Sequence, residues 1–214
     1  MSEDKTLFRL TSISAFFAAF IMVVIAVCAT FVWKFEFMFP GTEVLTGKIL
    51  LSPTEFAEYE FNLHIIYIID SIFILTWLGT WFGVSKIIIK KSAISGLIFL
   101  VLGFAGGFFD FAENGCVISV LKSFHEGLAL TPSWTPVWHF VLDFSYIMPF
   151  AGSFLIIPFL WQEKTTGKIM AVFAFVFTSI AFIGLYFPQL YFLSFLWFLV
   201  WAILSGILLY KNSK

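Results

Sequence analysis

The chain has 214 residues, of which 61% are hydrophobic and only 12% charged, with a formal net charge of −1. A soluble domain carries about 25% charged residues, and no globule of this size hides so much apolar surface from water, so the composition specifies an integral membrane protein. Two Cys and no basic block also exclude a disulfide scaffold and a nucleic-acid binder.

A membrane helix needs about 20 mostly apolar residues. Six stretches qualify, near 10–33, 61–85, 92–113, 136–161, 169–187 and 190–210. The expected fold is all-α: one polytopic domain over 1–214 with six transmembrane helices. The run from Leu10 to Trp33 is longer than the apolar region of a signal peptide, roughly 7–15 residues, and is read as a span. Six crossings put Lys5, Arg9, Lys86, Lys90, Lys91, Lys164, Lys168, Lys211 and Lys214 on one side and Lys34, Lys48 and Lys122 on the other. Nine against three in short loops points to cytoplasmic termini in the cell membrane.

In the first outer segment, about 34–60, Phe35–Phe39 alternates and Pro40-Gly41 follows, a pattern that suits a small surface hairpin. Ser52-Pro53-Thr54-Glu55 then predicts a helix from Pro53, with Ser52 as cap and Glu55 closing a capping box. The second outer segment, about 115–135, contains an amphipathic Val117–Phe124 stretch expected to lie on the membrane surface. Phe187-Pro188-Gln189 predicts a tight turn between spans five and six. Cys28 and Cys116 share one side and are expected to be free thiols. Phe, with 31 copies, suits lipid-facing surface.

Ionisable residues inside a bilayer are expensive, about 2.5–3.5 kcal/mol each on insertion scales, and mark function. Spans one, five and six contain none. Span two has His64 and Asp70, span three Asp110 and Glu113 followed by Asn114, and span four His139 and Asp143. Spans two to four are therefore expected to form a polar centre. A rise of 1.5 Å per residue puts His64 and His139 roughly 5 Å deep, Asp143 roughly 10 Å and Asp70 roughly 14 Å, toward the midplane. At about 100° per residue, His139, Asp143, Tyr146 and Ser153 share a stripe, as do Gly103, Gly107, Asp110 and Asn114. Gly103 and Gly107, like Gly79 and Gly83, have the small-xxx-small spacing that brings helices together. Pro149 removes a hydrogen bond within span four and is expected to kink it.

Two His and several carboxylates on facing helices suit a divalent metal such as zinc, iron or manganese, with His64, Asp110, His139 and Asp143 as the candidate ligands. Asp110 or Glu113 would then act as base, with Asn114 and Asp70 supporting the reaction. His139 and Asp143 on a membrane helix resemble, in the kind of site, the membrane hydrolases of the alkaline ceramidase and adiponectin-receptor superfamily. That resemblance implies zinc held by His and Asp. The family has seven spans and a C-terminal pair of His, whereas span six here has no His, and no residue role is carried over. The acids set among the two His argue against haem, and the absence of a phosphate-binding glycine loop argues against a nucleotide.

The first expected function is a metal-assisted hydrolase acting on a lipid or lipid-linked substrate that enters from the outer leaflet. The second is a proton- or cation-coupled carrier using Asp70 and the same acids, and the third a structural or accessory membrane protein whose His–carboxylate network locks three helices. The charge count makes a direct prediction about topology. A reporter fused after Lys214 should read cytoplasmic and one inserted at Thr46 external, and a cytoplasmic reading at Thr46 overturns the orientation.

Overall fold

The computed structural model describes residues 3–28, 53–125, 134–184 and 192–214, and the described residues form helices and short turns. The side chains of residues 53–59, 62, 63, 117, 120–125, 134–136, 138, 139, 192, 194 and 195 lie outside the described set, His139 among them. The helices are α1 (Glu3–Val27), α2 (Pro53–Ile89), α3 (Ala93–His125), α4 (Trp134–Trp161), α5 (Thr165–Gly184) and α6 (Phe192–Ser213). Each contains a stretch long and apolar enough to cross a membrane, so the protein is a multi-pass membrane protein of the kind the six apolar runs predict.

α2 starts at Pro53 and runs unbroken to Ile89, joining its polar first turns to the span. Ser52, the Phe35–Phe39 segment and the Phe187-Pro188-Gln189 turn lie outside the described residues. α3 departs from expectation: Val117–Phe124 does not form a separate surface helix but extends α3 to His125. No proline interrupts it and its single late glycine, Gly115, is tolerated within a helix. At 33 residues α3 is about 50 Å long, against a hydrocarbon core of about 30 Å. Pro149 and Pro158 both lie inside α4, which remains one helix.

Each helix packs on its neighbours in sequence, α6 closes the ring onto α1, and α2 also touches α4 and α6. Four contacts gather the lysines at one end. Lys90 pairs with Asp4 at 3.0 Å, Lys91 with Glu163 at 2.5 Å, Lys5 Nζ donates to the Lys214 carbonyl at 2.6 Å, and Lys211 Nζ donates to Thr166 Oγ1 at 2.5 Å. Both chain ends, the α2–α3 turn and the α4–α5 turn therefore share one end of the bundle, hereafter the lysine end.

The core is aromatic. Trp77 and Trp81 of α2, Phe99 of α3, Phe150 of α4 and Trp197 and Trp201 of α6 are buried in one cluster. Lipid tails are as apolar as these side chains, so association rests on close packing and interhelical hydrogen bonds rather than on escape from water. Such bonds cross most of the seams. Trp81 Nε1 donates to the Phe99 carbonyl at 2.5 Å, Trp197 Nε1 to Thr178 Oγ1 at 2.8 Å, Ser12 Oγ to the Gly206 carbonyl at 2.9 Å and Ser14 Oγ to the Thr76 carbonyl at 3.0 Å. Phe16, Phe17, Phe20, Phe104, Phe108 and Phe175 are exposed on the outside of the bundle, where lipid would meet them.

The glycines sit where neighbouring helices need their space. A Cβ at Gly83 would overlap Thr11 of α1, one at Gly106 would press on the Pro149 ring of α4, and one at Gly103 would overlap the Trp81 indole. Gly103→Ala should therefore destabilise the protein by about 1–3 kcal/mol through overpacking. Gly115→Ala, whose added methyl meets nothing within 4 Å, should instead gain up to about 1 kcal/mol of helix stability. Unfolding in detergent micelles checks both signs.

Candidate functional site

α2 and α3 run antiparallel, and the contact between Trp81 and Gly103 sets their register. Eleven residues from Trp81, away from the lysine end, stands Asp70; eleven from Gly103 stands Asn114. Eleven residues is close to three helical turns, so both positions return to the facing surfaces about 16 Å along the axis. Gly107, close against Leu78 and Ile74, lies on the same line. There the Asn114 side-chain amide donates to the Asp70 carboxylate at 2.8 Å. Asn114 is buried, and Asp70, Asp110 and Glu113 are half-buried. The Asp110 carboxyl lies within electrostatic reach of both Asp70 and Glu113. The structure thus brings together Asp70, Asp110, Glu113 and Asn114, contributed by two helices.

Along the bundle, Asp70 stands level with Asn114, two residues short of the end of the apolar stretch of α3 at Cys116 and six residues inside that of α2, which begins at His64. The carboxylates lie farther from the lysine end than the buried Trp77 and Trp81.

Histidine and α4 stand differently. His64 is exposed, with Nδ1 2.8 Å from the Glu60 carbonyl as in an N–H donor contact. Six residues separate it from Asp70, which turns it about 120° away around α2. Asp143 is exposed while its neighbours Leu142 and Ser145 are buried. It lies about 60° from Tyr146 and 80° from Ser153 around the helix, and those two face inward: Tyr146 packs tilted on Phe150 and edge-on against Phe198, and Ser153 is buried. The expected stripe therefore splits, its inner part joining the core and Asp143 facing out. Among the described residues no three His, Cys, Asp or Glu side chains are placed to hold one metal ion. Cys28 and Cys116 are free and half-buried, as expected.

Sequence reasoning missed the tryptophan cluster. Its signal is two Trp pairs at i, i+4, Trp77 with Trp81 and Trp197 with Trp201, in separate spans. A further Trp, Trp161 at the end of α4, is exposed in the manner of an interfacial anchor. No protein-family model, no curated protein and no solved structure matches this chain.

The Asp70–Asn114 bond is testable by a double-mutant cycle. Asp70→Ala and Asn114→Ala should couple by about 0.5–2 kcal/mol in unfolding free energy. Asn114→Ala with Asp143→Ala should add to within about 0.5 kcal/mol, because Asp143 faces away.

Proposed function

We propose that the protein is a proton-coupled membrane carrier, oriented with both termini in the cytoplasm and with its carboxylate cluster near the outer surface of the cell membrane. One observation carries this reading: Asn114 of α3 holds Asp70 of α2 beside Asp110 and Glu113, on helices apolar enough to span a bilayer. Carboxylates that share one place in a low-dielectric medium repel one another, and a proton or a small cation relieves the repulsion. A proton does so with no fixed coordination shell, which suits acids not arranged around a single ion. Asn114 does not titrate. Its amide positions Asp70, so that a shift between α2 and α3 changes the partner of that acid and hence its hold on a proton.

All three acids are half-buried rather than sealed in the core, and protons and a small or lipid-like solute would enter from their end of the bundle. The lysines at the opposite end match the inner, anionic face of a cell membrane.

The test uses protein reconstituted in vesicles holding a pH-sensitive dye. An imposed pH gradient should drive a proton flux that Asp70→Asn and Glu113→Gln each lower roughly a hundredfold, with expression and melting retained. No flux above empty vesicles contradicts the carrier. Stoichiometric zinc, iron or manganese that is lost in His139→Ala would replace it with the metal-assisted hydrolase.

A further inference from the structure

The four core tryptophans form a closed circuit, Trp77, Trp81, Trp201, Trp197, with neighbouring ring centroids 5.2 to 5.9 Å apart. Two indoles at opposite corners have hydrogen-bond acceptors: Trp81 at the Phe99 carbonyl and Trp197 at Thr178 Oγ1. The other two, Trp77 and Trp201, have buried Nε1 atoms with no acceptor among the described residues, and Ser205 Oγ is buried and equally unpartnered. Their residues are 2%, 0% and 0% exposed, so no lipid headgroup or bulk water reaches them. A buried donor without an acceptor is costly, and most costly in a membrane.

Trp77 packs on Trp197 and Phe198 of α6, and Trp201 on Trp81 of α2, so both indoles lie at the seam between α2 and α6. Trp77 stands seven residues from Asp70, nearly two turns, on the same side of α2. Ser205 lies one turn beyond Trp201 toward the lysine end. Phe73 packs edge-on against Phe198 at 5.9 Å, between the carboxylates and Trp77. Among the described residues the seam thus holds neutral polar atoms with aromatic walls and no charge to retain an ion. Two N–H donors and one hydroxyl match water, which makes about two to four hydrogen bonds in protein interiors.

We propose that Trp77, Trp201 and Ser205 bind internal water in the α2–α6 seam, screened from the carboxylate cluster by the Phe73–Phe198 pair. The indole N–H groups donate to the water oxygens and orient them. The Ser205 hydroxyl both donates and accepts, so a proton arriving on one side of the water leaves from the other, with no change in the number of protons bound. Resting on the carrier reading, this water is the next station for a proton released by Asp70 when the aromatic screen opens.

The test is indole N–H exchange, read by nuclear magnetic resonance on ¹⁵N-Trp-labelled protein in lipid nanodiscs transferred to D2O, with peaks assigned by single Trp→Phe changes. Trp77 and Trp201 should show exchange cross-peaks with water and lose their N–H signals about tenfold faster than Trp81 and Trp197. Ser205→Ala, a small change that folding should tolerate, should slow exchange at Trp201. Equal rates at all four indoles, whether fast or slow, overturn the proposal, as does an unchanged Trp201 rate in Ser205→Ala. No gradient is applied, so this outcome is independent of vesicle flux: water without flux removes the carrier and leaves the water site, and flux without water does the reverse.

Discussion

The close approach of α2 to α3 at Gly103 is the contact on which the carboxylate cluster depends. The missing side chain lets the Trp81 indole lie against the α3 backbone, where it stacks on Phe99 at 4.2 Å and donates to its carbonyl. That contact fixes how far α3 is slid along α2. Three turns further on, the same register sets Asn114 against Asp70. A slide of one residue would rotate Asn114 about 100° off the contact line and leave a membrane carboxylate without its amide partner.

The membrane explains why such a contact matters. Helices in lipid gain little from burying apolar side chains, since lipid is itself apolar. Packing and hydrogen bonds must choose the arrangement. Here the choice is made by glycines that admit neighbouring helices, by indole and hydroxyl donors that cross helix seams, and by tryptophans that fill the middle. Polar groups are consequently sorted by length of chain. Lysines pair and bond at one end, carboxylates gather near the other, and the aromatic core separates them.

Much of this was legible in the sequence. Composition and apolar runs specify six helices because the requirement is local: each needs only enough apolar length. The stripe Gly103, Gly107, Asp110, Asn114 is legible for the same reason, since helical spacing alone puts small and acidic residues on one face. Longer-range facts were less so. Asp143 and His64 face away from the acids, and a misjudgement of 60–120° around a helix is invisible without knowing which neighbour it meets. Val117–Phe124 has an amphipathic pattern that fits a surface helix and a helix extension equally, and the continuous backbone of α3 decides it.

The register of α2 on α3 is the claim on which the site rests, and cross-linking reads it directly. With Cys28 and Cys116 changed to Ala, Asp70→Cys and Asn114→Cys in one chain should be joined by a short thiol-reactive bridge, identified by mass spectrometry of the linked peptides. Asp70→Cys with Phe108→Cys, whose native side chain is exposed and lies about 120° from Asn114 around α3, should remain unlinked. Efficient linkage of 70 to 108 with none to 114 would contradict the register and dissolve the carboxylate cluster.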